Sequence, residues 1–158
     1  MQEFPHHYHA TAQAEADSHV AVAAGDFPEI ITAPPVEFGG PGDQWSPEHL
    51  LVGTVANCFI LTFRAVARHS KLDWTHLECS PVGILERVDK ATRFTRFTVN
   101  AKLTGPVGTY TAMAERLLDK AVRGCLFTPF LLAVTDLVYV IVGHPCSAGG
   151  DVFDTIMP

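Results

Sequence analysis

From Leu50 to Ala67 apolar residues fall on nearly every face of a helical wheel, and a helix that is apolar all round is stable only where other structure wraps it. A chain with such a segment must therefore build layers around it. The start of the helix is written in Ser46-Pro47-Glu48. Ser46 offers a side-chain oxygen to an orphan N–H of the first turn, Pro47 gives up an N–H that would be unpaired anyway, and Glu48 suits the positive end of the helix dipole. The pattern predicts a helix from Pro47 to near Lys71. It carries Cys58, a thiol that is either a packing residue or a reactive one, since free cysteine also behaves as a small hydrophobe.

Strand patterns lie on either side. Alternation from Tyr8 through Ala14 predicts a half-buried strand, a turn at Asp17-Ser18 leads to a second strand over His19–Ala23, and Phe27–Ile31 reads as a third. The Pro/Gly-rich loop Ala33–Gln44 is long, and such loops either line sites or serve as flexible connectors. After the helix, strands over Thr75–Val88 and Phe94–Leu103 flank a turn at Asp89-Lys90-Ala91-Thr92, with Phe97, Val99, Ala101 and Leu103 on one face. Gly105-Pro106-Val107-Gly108 is expected to break the strand. A helix follows, with Tyr110, Met113, Leu117, Leu118 and Ala121 on its apolar face and Gly124 at its end. Thr128-Pro129 opens a short helix through Val134, and Leu137–Val142 is a buried strand. The order predicts an α+β fold, with antiparallel sheets and one domain spanning residues 1–158.

Charge excludes some functions. The chain has a formal net charge of −6. No Lys or Arg precedes Arg64, and without a clustered basic face the chain is a poor binder of nucleic acid, whose affinity comes mainly from neutralising phosphates. The N-terminus lacks the basic and apolar regions of a signal peptide, and no uninterrupted apolar run approaches about 20 residues. The expectation is a soluble, cytoplasmic protein with no membrane partner. There Cys58, Cys79, Cys125 and Cys146 are expected to be reduced, and with no CxxC pair they match no zinc pattern. Cys79, in a strand, and Cys146, in a Pro/Gly/Ser-rich tail, read as bystanders. His6, His7 and His9 either bind a metal or, at a terminus, bind nothing specific.

The combination of Ser46-Pro47-Glu48-x-Leu, a cysteine ten residues after that glutamate, and Arg123-Gly124-Cys125 behind an amphipathic helix resembles the family of the osmotically inducible protein C and the organic hydroperoxide resistance proteins. The resemblance runs from about Tyr8 to Val142. It implies intertwined homodimers with sites at the subunit interface, and a thiol peroxidase needing no metal or other cofactor. Cys58 would attack the hydroperoxide and become a sulfenic acid, Cys125 would condense with it to a disulfide, and a dithiol reductant of the dihydrolipoamide type would restore the pair. The substrates implied are organic, fatty-acid type hydroperoxides, and the role is defence against oxidative stress.

Two departures from that pattern matter. Peroxidatic members hold an arginine from the N-terminal strands with the glutamate matching Glu48; here His19 stands near that place. A thiolate buried in apolar surroundings needs a nearby cation, and the alternatives to His19 are Arg64, Arg68 and Arg123, each of which also reads as a surface charge. The second departure is Cys125-Leu126-Phe127-Thr128, where the family often has proline directly after the cysteine. Ten residues of helix rise about 15 Å, so Glu48 reaches Cys58 only if the helix breaks near Gly53 or if the glutamate serves a partner's site; otherwise it is a helix-dipole partner. A non-catalytic alternative uses an interface cavity lined by Phe38, Trp45, Phe59 and Phe127 to bind an apolar small molecule.

Overall fold

The structure, a computed structural model, describes residues 3–107, 111–125 and 133–144. The chain divides into two compact units, Met1–Gly53 and Thr54–Pro158. In order, the elements are β1 (Thr11–Gln13), β2 (Val20–Ala23), β3 (Ile30–Thr32), a 3-10 turn (Val36–Phe38), α1 (Pro47–His69), β4 (His76–Val88), β5 (Ala91–Pro106), α2 (Thr111–Gly124) and β6 (Val134–His144).

In the first unit β1, β2 and β3 form an antiparallel three-stranded sheet, with Ala12 opposite Val22 and Ala21 opposite Ile31. The turn between β1 and β2 is fixed by Ser18, whose hydroxyl accepts from the Glu15 N–H at 2.8 Å. The strands are shorter than the alternation predicts, and β1 is exposed along its whole length rather than half-buried. Its alternating alanines are small, so their period reports an extended backbone without a buried face in this chain. The long loop is ordered by its own backbone: Gly39 and Gly42 take φ of 81° and 78°, which favour glycine, and Gly40 lies so close to Pro34 that an added Cβ would overlap its carbonyl.

Helix α1 begins as its sequence dictates. Ser46 is fully buried, its hydroxyl accepts from the His49 N–H at 3.2 Å, and the same oxygen lies 2.8 Å from the His49 ring Nδ1. The position where a capping box has glutamate is here a histidine, and its ring meets the cap hydroxyl rather than the cap N–H. The helix ends in a Schellman motif that the sequence does not advertise with glycine: Leu72 N–H bonds to Ala67 O at 3.0 Å and Lys71 N–H to Arg68 O at 3.2 Å, with Lys71 at φ 53°. It runs unbroken through Gly53. Its buried residues form one stripe, Val55, Phe59, Phe63 and Ala67, four apart, with Phe63 meeting Trp74 edge to face at 5.5 Å. The expectation of a helix covered on every side is not met within one chain; Leu61, on another face, is 52% exposed. By length and composition α1 is also apolar enough to cross a membrane.

The second unit is a sheet ordered β4-β5-β6. β4 and β5 are antiparallel and joined by a two-residue turn, Asp89-Lys90, both at positive φ (52° and 66°), rather than the four-residue turn expected. Such a turn matches the strand twist. The register shifts between Ile84 and Leu85, leaving Thr95 unpaired in β5; this bulge puts Phe94 on the same side as Phe97, their rings 5.1 Å apart over Gly83. β5 does not break at Gly105 but continues to Pro106, paired there with β6 alone, so the proline removes no donor from the β4 ladder.

β5 and β6 are parallel, with α2 in the crossover between them. β6 starts at Val134, where a helix end was expected, and alternates in exposure instead of being buried throughout: Val138 and Val140 are more than half exposed. It is an edge strand with one covered face. Phe97, Val99, Ala101 and Leu103 do form the buried row of β5, and Ala114, Leu117, Leu118 and Ala121 are the buried face of α2. The expected helix at Thr128-Pro129 lies outside the described residues.

The core assignment has a direct test. Phe97→Ala removes a fully buried ring from the middle of β5 and is expected to lower stability by about 3–5 kcal/mol. Val82→Thr, on the open face of β4 and 55% exposed, should stay within about 0.5 kcal/mol; urea midpoints of the two variants read the contrast.

Candidate functional site

Three thiols of the second unit are described, Cys58, Cys79 and Cys125, all reduced. Cys58 lies in α1, half-buried beside the Val55–Phe59 stripe. Cys125 follows the last residue of α2 and is 4% exposed. The two elements meet at Gly124, where an added Cβ would stand 3.3 Å from Thr62 Cγ2. Thr62 is one helical turn beyond Cys58 and on the same face of α1. The end of α2 is therefore seated beside the face of α1 that carries Cys58, with Cys125 as the next residue. Gly124 ends α2, as its position in the sequence suggests; its φ is not positive, and its missing side chain permits this approach.

Cys79, a bystander by its sequence context, is half-buried in its strand. In β4 it is opposite Ala101, so it points to the buried side of the sheet, in the row with Leu77. Burial pushes its thiol pKa up to about 11, and the nearby Cys125 adds to the rise. The signal was in the sequence: Leu77 and Cys79 are two apart in a strand, and residues two apart share a face.

The remaining candidates are less concentrated. Glu48, in the first turn of α1, has one carboxylate oxygen, Oε2, buried without a hydrogen-bond partner. Because α1 is unbroken, a kink at Gly53 does not bring it toward Cys58. Arg64 is exposed; six residues on from Cys58, it lies about 120° around the helix. Arg68 is exposed as well, and Arg123 is an exposed residue of the last turn of α2. His19 is exposed at the start of β2 and lines a shallow pocket with Gln13, Glu15 and Ser18. Among the described residues the ion pair is Arg96–Asp136, 2.5 Å, on the sheet surface, so none of the candidate cations is held in a salt bridge there.

Phe38 and Trp45 are 58% and 55% exposed in the first unit, whereas Phe59 is 1% exposed and spent on the helix stripe; Phe127 lies outside the described residues. No group of three His, Cys, Asp or Glu side chains among the described residues is arranged to hold a metal. What the reduced thiols can do chemically is exchange and oxidation.

The OsmC-like protein family profile matches residues 40–136, which include α1 and its cap, the β4–β5 hairpin, α2 and both Cys58 and Cys125. The chain belongs to the OsmC-like family. Its fold is that of solved family structures. An OsmC-like protein of unknown function from Vibrio cholerae superposes with a TM-score of 0.77 at 14% identity, over 86% of this chain and 100% of that one. An organic hydroperoxide resistance protein OsmC from Legionella pneumophila gives 0.69 at 23% identity, over 89% and 99%. One from Elizabethkingia anophelis, named an organic hydroperoxide resistance protein, gives 0.72 at 16% identity, over 90% and 100%. In sequence, the uncharacterized protein YmaD of Bacillus subtilis strain 168 is 35% identical over 51 residues, 32% of this chain and 34% of that protein; the match spans about a third of its length.

Two pH effects follow from the position of Cys79. With its pKa at about 11, alkylation of Cys79 by iodoacetamide should be slow at pH 7 and rise about tenfold per pH unit to pH 10. Because the folded pKa exceeds the unfolded value near 9.0, the folded state holds this proton more tightly. Its contribution is intact below about pH 9 and stability falls as pH rises toward 11. Peptide mapping of the alkylated protein and thermal melts across that range check the two effects.

Proposed function

We propose that this OsmC-like chain is a cysteine-based peroxidase that reduces organic hydroperoxides. The observation that supports it most is the seating of Gly124 on Thr62, which brings Cys125 beside the face of α1 that bears Cys58. The likeness to structures named organic hydroperoxide resistance proteins points the same way. In the reaction, the Cys58 thiolate attacks one oxygen of the hydroperoxide. An S–O bond forms, the O–O bond breaks, and the alkoxide leaves and takes up a proton as the alcohol. The Cys125 sulfur then attacks the sulfenic acid, releasing water and forming the Cys58–Cys125 disulfide. An external dithiol of the dihydrolipoamide type reduces that disulfide and is itself oxidised. Such a cycle runs in a reducing compartment such as the cytoplasm.

The working unit we propose is a homodimer. Three features support it: α1 buries only one stripe, Leu61 and Trp45 remain exposed, and a buried oxygen of Glu48 lacks a partner. A second copy would cover the apolar surface and give Glu48 a role in the neighbouring site, holding whichever cation faces that thiol; His19, Arg64 and Arg123 are the candidates. Light scattering at micromolar concentration should give twice the chain mass, and a monomer there would defeat the shared site.

A binding protein for an apolar small molecule is the second reading, favoured by the absence of any Lys or Arg before Arg64 and by the exposed Phe38 and Trp45. One experiment separates the two. Reduced protein mixed with cumene hydroperoxide should lose two hydrogens in intact mass within minutes, and Cys58→Ser should lower hydroperoxide consumption more than about a hundredfold. Thiols unchanged over minutes would reject the peroxidase and leave the binding protein.

A further inference from the structure

Beside its buried stripe, α1 carries a second one that is open. Cys58, Leu61, Ala65 and Arg68 succeed one another at intervals of three or four residues, the spacing of neighbours on a helix surface, and all four lie in the second unit. Cys58 is half-buried, Leu61 is 52% exposed, and Ala65 and Arg68 are exposed. Arg68 is about 80° around the helix from Cys58 and about 15 Å along it, and Leu61 and Ala65 fall between the two in both respects. The stripe is therefore oblique, with a thiol at one end and a guanidinium at the other.

The charge at the far end is unopposed. No Asp or Glu occurs between Glu48 and Asp73, and Arg64 and Lys71 stand four residues before and three after Arg68, on the same side of the chain's helical path. All three cations are exposed, and none of them is in the ion pair found among the described residues. In order along α1 the surface thus offers a thiol, then an aliphatic and a small side chain, then positive charge. That sequence of surfaces is complementary to an amphipathic anion.

We propose that Arg68 sets the specificity of the hydroperoxide site: it holds a carboxylate at one end of the substrate while the acyl chain lies over Ala65 and Leu61 and the peroxide reaches Cys58. This rests on the peroxidase reading for the chemistry at the sulfur, but recognition of an amphipathic carboxylate by the stripe does not. The long Arg68 side chain leans toward the helix N-terminus, as helical side chains do, which brings the two ends of the stripe to about 10–15 Å apart. An extended hydrocarbon chain with C–C bonds of about 1.5 Å advances about 1.3 Å per carbon, so the stripe fits a peroxide carried about eight to twelve carbons from the carboxylate. The guanidinium takes the carboxylate in a charge-assisted, bidentate pair, and the methylene groups between lose water against Leu61 and Ala65. In the proposed dimer the second copy is the opposite wall of this stripe. Arg68 is too far from Cys58 to hold its thiolate, so it acts on which substrate is bound and not on the sulfur.

Two arms test this on the full-length protein. In the first, kcat/KM is measured for a linoleic acid hydroperoxide and for its methyl ester, which carries the same peroxide without the charge. Wild type should prefer the acid about tenfold, Arg68→Gln should bring the ratio close to one, and Arg68→Lys, which keeps the charge, should retain most of the preference. A ratio of one in wild type, or a ratio that Arg68→Gln leaves unchanged, overturns the assignment and leaves the peroxidase reading standing. The second arm needs no turnover: calorimetry measures binding of laurate and methyl laurate to Cys58→Ser with and without Arg68→Gln. Laurate should bind about tenfold more tightly than its ester, and the difference should fall below about twofold when Arg68 is replaced. Equal binding of acid and ester to Cys58→Ser overturns the stripe as a carboxylate site. If no hydroperoxide is consumed while laurate is preferred through Arg68, the peroxidase reading falls and the carboxylate site stands.

Discussion

Two helices of ordinary composition pack 8–10 Å apart when side chains meet at their crossing, and at that spacing a thiol following one of them would stand off from the other. Gly124 removes the side chain at the place where α2 ends against α1, leaving Thr62 as the neighbour. The thiol chemistry proposed for this chain depends on that approach. It seats the residue before Cys125 against the face of α1 that carries Cys58. Phe97, Val99, Ala101 and Leu103 are buried along β5, and Ala114, Leu117, Leu118 and Ala121 along α2.

The same packing creates an electrostatic problem. A buried thiol stays protonated unless a positive charge compensates it, and Cys79 shows this plainly, with its pKa at about 11. Positive charge near Cys58 is not supplied by its own helix: Arg64 and Arg68 are exposed on other faces. The acidic first unit contributes Glu48, whose buried oxygen without a partner is the reverse defect, an acceptor lacking its donor. A second copy of the chain would bring the two defects together, which is why the proposed site is shared rather than contained in one protomer.

Much of the fold is legible in residues one at a time. Ser46-Pro47 fixes the start of α1 because capping is local, and the alternation of Phe97 to Leu103 fixes a face because side chains alternate along a regular stretch of strand. What was not legible has non-local causes. Nothing in the local pattern of Leu137–Val142 tells a strand whether it is central or at an edge, and β6 is at an edge. Gly105 and Pro106 look like a break, yet β5 extends past the start of β4 and meets only β6 there. Lys71 holds a left-handed position that usually belongs to glycine, because Leu72 and Ala67 close the motif through burial. Of the site, Cys58, Cys125 and Glu48 were found through a resemblance. Cys79 shares a face with Leu77, two residues away, and the pairing with Ala101 shows that this is the covered face.

The central claim is that Cys58 is the sulfur that meets the peroxide and Cys125 the one that closes on it. The most direct measurement traps the intermediate between those events. In Cys125→Ser treated with cumene hydroperoxide in the presence of dimedone, the sulfenic acid has no neighbouring thiol to condense with at that position, and the account predicts a single dimedone adduct on Cys58 in the peptide map. An adduct on Cys79 instead, or full retention of all thiols with the hydroperoxide unconsumed, would contradict it.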